Sequence, residues 1–260
     1  MRKFLLLLIL LLLSCTQSSK TISISQFEQR IWELTNQERI AHNLSPLLYD
    51  EGLADLARMH SSNMFKYDFF AHKDHLGYLV DDRKRRYYPQ LIVASIGENL
   101  AKIVSGAKIF TPEEIVEGWM NSTEHRENIL NGSFTHLGVG VFTQGSVLYA
   151  TQNFGTPIAK LLSQIPEQLE VKNKYQLQFE FMSLEPVNEL EAILNFPESN
   201  FKYNIDDQYY TLGLKPIPIH WITDKQFEVI IDFPAGKGDY NLCFGFNRSY
   251  FADGIKLKVK

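Results

Sequence analysis

Cysteine is almost absent from this chain: only Cys15 and Cys243 occur among 260 residues. Two thiols cannot build a multi-bridge disulfide framework or a cysteine-based zinc finger. Long apolar runs are missing too. Phe4 to Leu13 is unbroken but ten residues span only about 15 Å as a helix, half of a bilayer core, so it is too short to cross a membrane. There is no excess of positive charge: the formal net charge is −4, which leaves no global basic field for nucleic acid. Neither a G-x-S-x-G elbow nor an H-E-x-x-H helix occurs, so the common hydrolase signatures are lacking. Hydrophobic content of 45% is ordinary for a packed globular core.

What the N-terminus does have is a positive start, Met1-Arg2-Lys3, followed by the short apolar run. That is the pattern of a secretory signal. The run closes on Leu12-Leu13-Ser14-Cys15, which resembles a bacterial lipobox, in which cleavage precedes the cysteine and its thiol carries a diacylglycerol. Residues 1–14 are therefore expected to be a signal peptide and Cys15 the lipidation site. Residues 15–25, rich in Ser and Thr, are expected to form a tether. Burial of acyl chains contributes about 0.8 kcal/mol per methylene. The expected location is outside the cytoplasm, on a bacterial membrane at its periplasmic face or at the cell surface. With Cys15 lipidated, Cys243 has no disulfide partner.

Helical periodicity fills the first half. Ser25-Gln26-Phe27-Glu28 reads as a capping box opening a helix with Phe27, Ile31 and Leu34 on one face. A second helix starts at Asp50, and a third at Thr111-Pro112-Glu113-Glu114 with Thr as N-cap and Pro at its first position. Leu137–Phe142 and Val147–Thr151 read as strands joined at Gln144-Gly145. Near residue 160 the period changes to two. Residues 26–160 are expected to be an α+β unit and residues 168–260 an all-β sandwich of immunoglobulin-like type, without its Cys…Trp…Cys core signature. The strands there are Tyr175–Phe181, Phe227–Phe233, Tyr240–Asn247 and Ile255–Val259, with weaker ones near 190–196 and 209–214. Trp221, Tyr209 and Tyr210 read as core aromatics, or as a glycan-stacking platform.

Six short strings appear in order between about residues 27 and 156: Asn36-Gln37-Glu38-Arg39 with Pro46-Leu47, Phe70-Ala71-His72, Gly97-Glu98-Asn99, Trp119 through Leu130, Leu137-Gly138-Val139-Gly140, and Gln152-Asn153-Phe154-Gly155. Together they resemble the CAP superfamily of cysteine-rich secretory proteins, antigen 5 and pathogenesis-related proteins (the SCP domain), in its bacterial form. The resemblance implies an α-β-α sandwich whose cleft is lined by two His and two Glu. His72, Glu98 and His125 match three of these. Ser122 stands where the second Glu is expected, and Glu124 is an alternative. It also implies lipid binding and secreted interaction roles.

Two imidazoles with a carboxylate could hold a weakly bound divalent metal such as zinc through His72, His125 and Glu98. Alternatively Glu98 simply braces the histidines. His60, on an inner helix face, reads as a core histidine. Asn36, Arg39, Arg126 and Asn128 read as structural, and Arg83-Lys84-Arg85-Arg86 as a solvated helix face. The function expected is a binding module with a cleft for a lipid, sterol or other small ligand, or for a host or cell-wall partner. The other reading is a metal-dependent or Ser-based hydrolase in which Ser122, His125 and Glu98 form a relay.

Overall fold

The structure, a computed structural model, describes residues 23–106 and 110–260. The expected signal peptide over 1–14, the lipidation site Cys15 and most of the tether lie outside the described residues. The chain order is α1 (Ile24–Ala41), β1 (Leu48–Tyr49), α2 (Glu51–Lys66), α3 (Val80–Tyr87), β2 (Leu91–Val104), α4 (Pro112–Met120), α5 (Thr123–Ile129), β3 (His136–Gln144) and β4 (Val147–Leu161). Strands follow: β5 (Tyr175–Phe181), β6 (Leu190–Asn195), β7 (Lys202–Asn204), β8 (Tyr210–Leu212), β9 (Leu214–Ile217), β10 (Ile219–Trp221), β11 (Gln226–Ile231), β12 (Gly238–Phe246) and β13 (Ser249–Val259).

Caps decide where the helices begin. Asp50 accepts from the Leu53 amide at 2.7 Å, and Thr111 accepts from the Glu114 amide at 3.3 Å. The box of α1 lies two residues earlier than expected. Ser23 Oγ accepts from the Gln26 amide, and the Gln26 side chain accepts from the Ser23 amide at 2.9 Å. Glu28 is instead buried, where it accepts from the Val141 amide at 2.9 Å and from Arg58 Nε at 3.0 Å.

Strand β3 shows how the N-terminal layers assemble. Leu137, Val139 and Val141 alternate with Gly138 and Gly140, so they point to opposite faces. The larger residues join Phe27 and Ile31 of α1 and Ile115, Val116 and Trp119 of α4 in one core. On the other face a Cβ at Gly138 would sit 2.0 Å from the Ala54 amide nitrogen of α2, and one at Gly140 the same distance from that of Arg58. Bare glycine backbone thus lets α2 lie directly on the sheet. Ser61 of α2 seals the contact by donating to the Gly140 carbonyl at 2.9 Å.

Strand β4 continues into the second half. It pairs with β2 and β3, and its last residues pair with β5 through Ala159↔Phe181 and Leu161↔Phe179. A seven-stranded sheet therefore runs from β1 to β10, with β2 also paired to β4. The second sheet, β13-β12-β6-β9, shares a core with it: Phe179 packs on Phe227 at 5.2 Å and on Phe244 at 5.0 Å between ring centres. Ile92, Ile158 and Ala159 belong to that same cluster. Trp221 packs on Phe181 and Phe227. Tyr209 and Tyr210 do not join this core. They are 65% and 54% exposed beside the two-stranded β7–β8 ribbon, which pairs with neither larger sheet.

Candidate functional site

Strand β2 organises the site. Glu98 lies at its centre, opposite Asn153 of β4, and its side chain is buried. One carboxylate oxygen accepts from His72 Nδ1 at 2.9 Å and the other from the buried guanidinium of Arg83 on α3. Arg83 Nη1 also donates to the carbonyls of His72 at 2.7 Å and Tyr78 at 2.9 Å. One cation therefore clamps both the carboxylate and the loop that carries His72. The buried pairing corrects the expectation of a solvated basic run. Arg83 and Lys84 are 0% and 1% exposed, and only the later cations of α3 face water.

Beneath Glu98 lies His60 of α2, fully buried, donating from Nε2 to the Ala71 carbonyl at 3.0 Å. Its Nδ1 is buried without a partner among the described residues. Burial depresses its pKa from 6.5 to about 4, against the opposing pull of Glu98 at 3.9 Å. The unfolded chain therefore binds one more proton than the native chain between these values. This contribution to stability is fully present above pH 6.5 and is lost as pH falls towards 4, at a cost of about 3 kcal/mol. Urea midpoints measured from pH 7 to 4.5 should fall more steeply for the wild type than for His60→Gln. Equal slopes would contradict the assignment.

His72 and His125 are held oppositely. The hydrogen bond to Glu98 raises the His72 pKa, while desolvation lowers that of His125, aided by the charge on His72. On falling pH His72 thus takes up its proton before His125. Both line a cleft of about 430 Å³ where β2, the loop at Phe70–His72 and helices α4 and α5 meet. Leu100, Ile103, Ile115 and Trp119 supply its apolar wall, and Ser122 and Glu114 also border it. Trp119 is fixed by its indole N–H donating to the Leu100 carbonyl at 3.0 Å.

Of the expected site residues, His72, His125 and Ser122 share this cleft, and Glu98 reaches it through His72. Glu124 is exposed on α5 and does not border the cleft. Ser122 caps α5 without a side-chain cap bond, and no hydrogen bond among the described residues joins it to His125. Sequence reasoning missed Arg83, read as a surface cation, and Glu114, read only as a first-turn helix acid. Nothing local marks either one. The residues read as structural are so employed. Arg39 donates to the carbonyls of Ser45, Ile129 and Asn131, and Asn128 donates to the Glu98 carbonyl at 3.3 Å.

Of the metal expectation for His72, His125 and Glu98, only the ligand role of Glu98 fails to fit this arrangement, since its bond to Nδ1 leaves His72 Nε2 as the ring nitrogen available to ligate. Both Glu98 oxygens are already engaged by Arg83 and His72, and the hydrogen bond directs His72 Nδ1 to the carboxylate. No group of three or more His, Cys, Asp or Glu among the described residues is placed to hold a metal ion.

Residues 32–154 match the model of the cysteine-rich secretory protein (CAP) family, so this part of the chain carries a CAP domain. Two Bacillus subtilis proteins are similar over this part. The uncharacterized protein YkwD is 41% identical over 139 residues, 54% of this chain and 51% of YkwD. The uncharacterized membrane protein YlbC is 38% identical over 128 residues, 49% of this chain and 34% of YlbC. The chain thus spans about half the length of one relative and a third of the other. Among solved structures, an extracellular SCP-domain protein from Bacillus anthracis is 36% identical with a TM-score of 0.44, over 50% of this chain and 40% of that one. An outer surface protein from Borrelia burgdorferi is 20% identical with a TM-score of 0.46, over 52% of this chain and 96% of that one.

Proposed function

We propose that this is a lipid-anchored, extracytoplasmic CAP-domain protein whose cleft binds a small amphiphile such as a lipid or sterol. The observation that carries the reading is the cleft itself. It joins an apolar wall of Leu100, Ile103, Ile115 and Trp119 to two imidazoles of unequal basicity. Such a site suits a ligand with a hydrocarbon body and one polar group. The positive start, short apolar run and Cys15 support export and anchoring. No helix among the described residues is long and apolar enough to cross a membrane. The C-terminal strands are read as an immunoglobulin-like sandwich that presents the CAP domain to a host or cell-wall partner.

Gly118 offers a test. It borders the cleft from α4, and a Cβ there meets nothing within 4 Å. Gly118→Phe should fill the cleft without disturbing the backbone, and leaving glycine behind should favour the helix by up to about 1 kcal/mol. Wild-type protein extracted from its membrane should carry small amphiphiles detectable by mass spectrometry. Gly118→Phe should carry at least about tenfold less at an unchanged or higher melting temperature. Equal loads in both proteins would refute the cleft as the binding site. The hydrolase reading makes Ser122 the nucleophile and predicts turnover of an ester substrate that Ser122→Ala abolishes.

A further inference from the structure

Helix α3 is unusual in what it buries. Its eight residues include no buried apolar side chain among them; the buried pair is Arg83 and Lys84, two adjacent cations. Consecutive residues on a helix point about 100° apart, so the two reach different partners. Arg83 reaches Glu98 on β2. Lys84 reaches Asp253 on β13 in the C-terminal half, and both members of that pair are largely shielded from water. A helix this short is not stable alone. With no apolar stripe to dock it, its position depends on these two ion pairs.

Asp253 does more than hold Lys84. Its Oδ2 also accepts from the Val93 amide at 2.9 Å, on β2 five residues before Glu98. One carboxylate thereby ties together α3 and β2, the two elements whose relative placement sets the contact between Arg83 and Glu98. We infer that the C-terminal half positions the cleft: Asp253 and Lys84 are positioning residues that hold α3 so that Arg83 clamps Glu98 and the His72 loop. The path runs from β13 through Lys84 to Arg83, then to Glu98 and to the His72 and Tyr78 carbonyls. It gives the C-terminal strands a role in the site without touching a ligand. Breaking a shielded pair by removing one partner leaves the other charge uncompensated, so the anchor is lost rather than merely weakened.

Hydrogen exchange on the full chain tests this without any ligand, so its failure leaves the binding reading of the cleft untouched. Asp253→Asn, the milder change, and Lys84→Met should both speed amide exchange about tenfold or more over residues 72–87, with α1 and β3 unchanged. The ring C–H resonances of His72 should shift in the same variants. Faster exchange confined to residues 90–94 and 250–256, with His72 resonances unmoved, would overturn the inference. So would a uniform rise across the whole chain in Asp253→Asn, since that would make the pair a general stabiliser.

Discussion

Gly138→Ala is expected to destabilise the chain by about 3 kcal/mol or more, a large share of a domain's total stability. The added Cβ would lie 2.0 Å from the Ala54 nitrogen, 2.2 Å from the Leu53 carbonyl carbon and 2.7 Å from the Ala54 Cα. All three are backbone atoms of α2, so no rotamer change relieves the clash. The helix must lift as a body, and lifting it parts Ser61 from the Gly140 carbonyl and from Thr151. The same movement draws His60 out from beneath Glu98. Calorimetry of the variant should show a melting temperature lower by about 6 °C or more, taking 2–4 °C per kcal/mol for a chain of this size. Gly118→Ala is the control, because a Cβ there meets open space, and it should melt no lower than wild type. Equal melting of the Gly138 variant and wild type would mean that α2 does not lie as close to β3 as the structure places it.

Arg83→Met should cost about 3–5 kcal/mol, the usual penalty for leaving a buried charge without its partner. Arg83 is 0% and Glu98 6% exposed, so little water can replace the lost guanidinium. The carbonyls of His72 and Tyr78 lose their donor in the same step. Removing both charges should be gentler: Arg83→Met with Glu98→Leu is expected to recover most of the loss, while freeing His72 from its acceptor. Urea denaturation of the single and double variants supplies the comparison. A double variant no more stable than Arg83→Met would show that the carbonyl contacts, and not the uncompensated carboxylate, dominate the cost.

Legibility from sequence followed the range of the interaction. Thr111 is readable as a cap and Asp50 as a helix start because each bonds an amide three residues on. The strands over 175–181, 226–231 and 238–246 were readable because alternation is a local pattern. Strand β2 was not anticipated: Ser95, Gly97, Glu98 and Asn99 interrupt its apolar residues, and its burial does not alternate. It is a strand because β4 offers partners along Leu91 to Val104. His72, Glu98 and His125 were found through the family strings around them. Glu114 was passed over because its first-turn position already accounted for a carboxylate there.

The sequence alone therefore determined the helix starts at Asp50 and Thr111, the longer strands of the second half and the CAP resemblance of the first. These depend on contacts within a few residues or on strings that survive in order. Tertiary structure alone decided which charges are buried. Arg83, Lys84, Arg85 and Arg86 are equivalent on paper, yet the first two are buried and the last two are not. The difference is made by Glu98, fifteen residues from Arg83, and by Asp253, 169 residues from Lys84. A cation enters a protein interior only where acceptors satisfy it, carboxylates for Arg83 and Lys84 and backbone carbonyls for Arg39, and only the fold brings those acceptors into place.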